Sequence, residues 1–117
     1  LARIRELEPK TMAVFPEGSI LNFLSKTPNP TPFYNFVPTG YAIFGEDRIL
    51  GSLRSQPPDV LVMIEKDTSE FGYRYFGVDY AQETQKWIDQ NYVRDQLFGN
   101  EPLQDKRFGI RIWRRRQ

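Results

Sequence analysis

The run Val60-Leu61-Val62-Met63-Ile64 constrains the fold more than any other stretch of the chain. It is bounded by Gln56-Pro57-Pro58-Asp59 before and Glu65-Lys66-Asp67 after. Five apolar residues fall far short of the ~20 that a membrane-spanning helix needs. Three of them are β-branched, which favours a strand. The run is continuous rather than alternating, so the strand has no face for water. A strand buried on both faces is the pattern of a central parallel strand covered by helices.

The flanking pattern supplies those helices. Leu1, Ile4 and Leu7 stand at helical spacing up to Pro9. Thr11 to Phe15 reads as a short strand stopped by Pro16-Glu17-Gly18, and Ser19 caps a helix with Ile20, Leu21, Phe23 and Leu24 on its apolar face. Thr27-Pro28-Asn29-Pro30-Thr31-Pro32 is a stiff extended connection, because proline denies both helix and central strand. Phe33 to Val37 reads as a strand ending at Pro38, and Glu46 to Ser55 as a helix with Ile49, Leu50 and Leu53 on one face. Glu65 to Gly77 is a long polar loop. Asp79 to Tyr92 reads as a helix with Tyr80, Thr84, Trp87, Ile88 and Tyr92 inward. Tyr92 to Phe98 and Phe108 to Trp113 alternate as the two strands of a long hairpin. Helices alternating with strands predict an α/β fold: a three-layer sandwich with a mainly parallel sheet and a C-terminal antiparallel hairpin at one edge. Its centre is expected at Thr11–Phe15 beside Val60–Ile64.

A length of 117 residues fits one domain, residues 1–117. The chain opens on Leu1 inside a helical pattern, which predicts a fragment of a longer or processed protein. Hydrophobic content of 39% is too high for a disordered chain. The absence of Cys removes disulfides, thiolate zinc sites and cysteine nucleophiles, and the absence of His removes His-dependent triads. With 16 basic and 15 acidic residues there is no global field to attract nucleic acid, so none is expected as a partner.

In open α/β sheets ligands sit beyond the carboxyl ends of the strands. Here those ends are Pro16-Glu17-Gly18-Ser19 and Glu65-Lys66-Asp67-Thr68-Ser69-Glu70. If the two strands are neighbours, Glu17, Asp67 and Glu70 approach one another. Such carboxylates can share acid and base roles or hold a divalent cation; in the competing assignment Asp67, Thr68 and Ser69 cap a turn and Glu17 accepts backbone N–H bonds near a helix start. Gly18-Ser19 lacks the remaining glycines and the lysine of a phosphate loop, and Glu17 repels a phosphate there. The aromatic loop Phe71-Gly72-Tyr73-Arg74-Tyr75-Phe76-Gly77 either stacks on a sugar or a base or closes over the core. Asn29-Pro30-Thr31 is disqualified as a glycosylation acceptor by its central proline. Arg111, Arg114, Arg115 and Arg116 form a basic end that either contacts phosphates or protects an edge strand.

One ordered set of motifs adds to this reading. Phe15-Pro16-Glu17-Gly18, Leu21-Asn22-Phe23-Leu24, Pro28-Asn29-Pro30-Thr31, Phe44-Gly45-Glu46, Pro57-Pro58-Asp59, Asp67-Thr68-Ser69-Glu70-Phe71-Gly72 and Phe76-Gly77-Val78-Asp79-Tyr80 occur in succession. Over roughly residues 7–113 the set resembles the C-terminal soluble region of bacterial polytopic membrane glycosyltransferases of the dolichyl-phosphate-mannose protein mannosyltransferase-like (GT-C) type. The resemblance implies a lipid-phosphate-linked sugar donor and a catalytic carboxylate in a part of the polypeptide that this chain does not contain. It therefore implies a non-catalytic accessory or recognition domain at the extracytoplasmic (periplasmic) face of the bacterial inner membrane. Its partners would be the transmembrane part of the same polypeptide and a glycan or lipid-linked sugar, with no cofactor and no metal. The expected binding surface is Glu17, Asn22, Asn29, Asp67, Thr68, Ser69, Glu70 and Asp79. The alternative is a small soluble α/β enzyme or ligand-binding domain using Glu17 and Asp67.

Overall fold

A computed structural model describes residues 2–31, 33, 36–69, 72–105 and 107–116. The element order is α1 (Ala2–Leu7), β1 (Met12–Phe15), α2 (Ser19–Ser25), α3 (Pro38–Phe44), α4 (Glu46–Ser55), β2 (Val60–Ile64), α5 (Gln82–Asn91), β3 (Tyr92–Gly99) and β4 (Gly109–Arg115). The four strands form one sheet in the order β1-β2-β4-β3. The fold is α/β, with the C-terminal antiparallel hairpin forming one side of the sheet.

Alternation along β2 distributes its side chains between two cores. Val60 and Val62 join Met12, Val14 and Ile112 against Ile4, with Leu7 and Leu21 closing that layer from α1 and α2. Leu61 and Met63 join Ala13, Phe15 and Trp113 against Ile49, Leu50 and Leu53 of α4 and Trp87 and Ile88 of α5. Helices therefore cover both faces, which is why the run could be continuously apolar. No helix among the described residues is long and apolar enough to cross a membrane.

Parallel pairing is narrower than expected. β1 and β2 run parallel, Met12 opposite Val60 through Phe15 opposite Met63. β2–β4 and β4–β3 are antiparallel, so the sheet is mixed rather than mainly parallel. β1 is an edge strand, not part of the sheet centre, yet all four of its residues are buried. The Pro-rich connection meets its start, where the Met12 N–H donates to Pro28 O at 2.9 Å, and just past its end the Phe36 N–H donates to Pro16 O at 2.5 Å. These contacts occupy part of the backbone that an edge strand otherwise presents for pairing.

The expected strand at 33–37 is not formed by its described residues, Phe33, Phe36 and Val37; Tyr34 and Asn35 lie outside them. These aromatics serve the core instead, with the Phe36 ring 4.2 Å from that of Phe15. Helix α3 was not expected. Pro38 opens it at a position where the missing N–H costs nothing. The helix expected from Asp79 begins only at Gln82, because Ala81 adopts left-handed backbone (φ 59) and Asp79 closes a turn. Asn91 passes directly into Tyr92 without a loop, as the sequence pattern predicts.

Candidate functional site

Parallel pairing brings the carboxyl ends of β1 and β2 to one rim. The Glu17 carboxylate lies 3.1 Å from Lys66 Nζ, bridging the two strand ends. Gly18 permits this approach: a Cβ there would stand 2.5 Å from Val14 Cγ1 and 3.4 Å from Ile64 Cδ1. On the same rim the Asp67 carboxylate accepts the Ser69 N–H at 2.8 Å and faces Arg74 Nε at 3.7 Å.

Thr68 organises the loop that leaves this rim. It is fully buried, and its hydroxyl donates toward Tyr73 O (2.6 Å) and Arg74 O (3.0 Å). Its N–H donates to Arg74 O at 2.7 Å. These bonds close the 68–74 loop and hold Tyr73 outward, 54% exposed. The Tyr75 N–H then donates to the Asp79 carboxylate at 2.9 Å, and the Gly77 N–H to Tyr80 O at 2.7 Å. Gly77 sits at φ 81, where a side chain would be strained. The turn delivers Tyr80 into the core, where its hydroxyl donates to Phe36 O at 2.6 Å. Burial raises the Tyr80 phenol above its usual range; the Thr68 hydroxyl opposes this and the Glu17 carboxylate adds to it. Tyr80 thus links the rim to the loop.

Beside that turn lies a groove of about 340 Å³ lined by Pro38, Tyr41, Tyr73, Asp79, Tyr80 and Gln82. The rings of Tyr41 and Tyr80 meet edge-on at 5.6 Å, and Tyr73 lies 6.2 Å from Tyr80. Behind them Tyr41 Oη and Thr84 Oγ1 lie 3.0 Å apart, and Thr84 donates through its hydroxyl and its N–H to Glu46. That chain fixes the inner wall. Burial pushes the Tyr41 phenol well above its usual range, so it is a neutral hydrogen-bonding wall at physiological pH. An exposed aromatic ring beside a carboxylate and an amide is suited to a polyhydroxylated ring with one apolar face.

The structure gathers Glu17, Asp67, Thr68, Ser69 and Asp79 around the rim and its loop. Asn22 and Asn29 are elsewhere, beside the entering end of β1. The Asn22 amide donates to Met12 O (2.7 Å) and Thr27 O (2.9 Å). The Asn29 amide donates to Phe33 O at 2.8 Å and accepts from the Thr31 N–H and hydroxyl, both at 2.9 Å. Asn22 ties the start of the Pro-rich connection to the strand, and Asn29 braces the connection internally. Glu70 lies outside the described residues. Sequence reasoning did not point to Pro38 and Tyr41, because α3 was not expected, with proline ahead of Tyr41 the available signal; Gln82 lay in an expected helix but on no recognised motif.

Glu65, at the end of β2, accepts the Leu103 N–H at 2.8 Å. Burial raises its carboxyl above the usual range, the backbone bond opposes this, and Asp105 and Asp67 add to it. Among the described residues no group of three or more acidic side chains is placed to hold a metal ion. Comparison with family models, curated proteins and solved structures found no match for this chain.

Proposed function

We propose that this chain is a non-catalytic recognition domain that binds glycan in the groove of Tyr73, Tyr80, Asp79 and Gln82. We further propose that it belongs to a membrane glycosyltransferase-like protein using a lipid-phosphate-linked sugar donor, and that it faces the extracytoplasmic side. The observation that carries the reading is the exposed Tyr73 ring, held by Thr68 over a groove that also contains a carboxylate and an amide. Tyr73 supplies a stacking face for a sugar ring. Asp79 has one oxygen taken by Tyr75, and its other oxygen accepts sugar hydroxyls. The rim carboxylates Glu17 and Asp67 each face a cation, Lys66 and Arg74, and form a polar lip beside the groove.

Titration calorimetry with a panel of mannose- and glucose-containing oligosaccharides tests this. Tyr73→Ala is expected to weaken binding about tenfold, the value of one lost stacking contact, while Asn29→Ala leaves affinity unchanged at temperatures where it is folded. Equal affinities for the wild type and Tyr73→Ala would contradict the groove. The parent reading requires hydrophobic spans elsewhere in the same polypeptide, and a parent without them would contradict that part alone.

A further inference from the structure

Exposed apolar side chains gather on two short helices. Phe23 is 78% exposed on α2, with Leu24 beside it, and Ile43 is 69% exposed on α3, with Phe44 beside it. Phe23 and Leu24 open onto a groove of about 750 Å³ that is also lined by Lys26, Pro28 and Asn29. Contacts run on from this groove to α3: the Asn29 amide holds Phe33 O, and the Phe33 ring meets that of Phe44 edge-on at 5.1 Å. The Arg48 guanidinium lies 5.8 Å from the centre of the Phe44 ring. Lys26 and Arg48 are exposed, and neither has an ion pair among the described residues. No acidic side chain is among the described residues that line the groove. Near Arg48, Glu46 is held by the Thr84 hydroxyl at 2.8 Å, and the exposed acid is Asp47, so the surface keeps a positive balance.

The directional donors of this groove are already used. The Asn22 amide serves Met12 O and Thr27 O, the Asn29 amide serves Phe33 O, and the Thr27 hydroxyl donates to Ser25 O at 3.2 Å. What is left to a partner is apolar area and two free cations. A protein partner is recognised through paired hydrogen bonds as well as through area. A lipid surface asks only for an apolar group to enter the headgroup boundary and a cation to meet the phosphates. We propose that this face docks on an anionic phospholipid bilayer. Phe23 and Leu24 enter the boundary between headgroups and acyl chains, and Lys26 and Arg48 meet the lipid phosphates. None of these residues lines the groove of Tyr73 and Tyr80, so the inference stands apart from glycan recognition.

The test is cosedimentation of the 117-residue chain with phosphatidylglycerol/phosphatidylcholine vesicles and with vesicles of phosphatidylcholine alone. Binding is expected to the anionic vesicles, to weaken as salt is raised, and to be lost on phosphatidylcholine alone. Phe23→Ser/Leu24→Ser is expected to weaken it at least about tenfold, as for apolar side chains that no longer leave water. Lys26→Gln is expected to weaken it about fivefold, the share of one cation near an anionic surface. Phe108→Ser removes an equally exposed ring from the β3–β4 hairpin and leaves binding unchanged. Amide spectra establish that each variant is folded, and an unfolded double variant is replaced by the single Phe23→Ser. No binding to the anionic vesicles, or equal binding to both kinds, overturns the proposal. So does binding that ignores the α2 substitutions or falls as far with Phe108→Ser. Sedimentation equilibrium covers the competing occupant: self-association that Phe23→Ser/Leu24→Ser abolishes assigns the face to a second copy of the chain and also overturns it.

Discussion

Thr68 shows how one hydroxyl can carry a site without touching a ligand. Its donor serves two loop carbonyls from a fully buried position. Thr68→Val keeps the shape and removes the donor, so it is expected to cost about 1–3 kcal/mol, read as a lower denaturation midpoint in urea. Tyr73 should lose its fixed pose in the same variant. The carboxyls of Asp95 and Glu65 are shifted in opposite directions. The Asp95 side chain is 6% exposed, and the Arg3 guanidinium holds its carboxyl below the usual range against the opposing effect of burial. Its stabilising contribution is complete above the unfolded value of about 4 and is lost as pH falls through the folded value. Asp95→Asn should therefore destabilise the chain at neutral pH, with the difference closing in strong acid. Glu65 has a raised folded value. Its ionisation opposes folding as pH rises through the interval from about 4.3 to that folded value. Glu65→Gln, which keeps the acceptor for Leu103, should be more stable than wild type at neutral pH and equal to it in acid. Denaturation midpoints of both variants from pH 3 to 7 check the two signs.

Among the elements, β2 was the most legible, because a run with no polar face has few ways to fold. α4 and the body of α5 followed from apolar periodicity, and the hairpin from alternation. Two elements were not legible. Residues 33–37 have strand composition, yet the described aromatics Phe33 and Phe36 are core side chains, Phe36 stacked against Phe15 of β1. α3 depends on Pro38 at its first turn, a weak signal beside Gly40 and the β-branched Thr39. Direction was also hidden, since a buried strand reads alike whether its neighbour is parallel or antiparallel. Likewise Asn22 and Asn29 were legible as polar residues in a turn-rich segment, but not as the clasp of an edge strand and the internal brace of the Pro-rich connection. The hairpin carries its own test. A Cβ on Gly109 would fall 1.5 Å from Asn100 O, so Gly109→Ala must part the strands at the Gly99–Gly109 pair. Hydrogen exchange should show faster exchange for the Asn100 amide, which donates to Phe108 O, while β1 and β2 keep their protection.

For the whole molecule, a net charge of +1 conceals two different ends. The carboxyl ends of β1 and β2 carry Glu17, Glu65 and Asp67 with Lys66, and the aromatic groove stands beside them. The other end of β2 meets Arg114, Arg115 and Arg116, with Glu8 and Asp59. Summed composition could not reveal this, because it depends on which strand ends meet. The groove was only half legible for the same reason: Tyr73 and Asp79 were visible as a loop, but Tyr41 and Pro38 reach it from a helix that local pattern did not announce. Glycan recognition at the groove is tested most directly by ¹⁵N-labelled NMR titration of the 117-residue chain with the tightest oligosaccharide of the panel. Shifts concentrated at Tyr73, Asp79, Tyr80 and Gln82, saturating with one affinity, are the predicted result. Saturable shifts confined to the hairpin or to Asn22 and Asn29, or no shifts with any oligosaccharide, would contradict it.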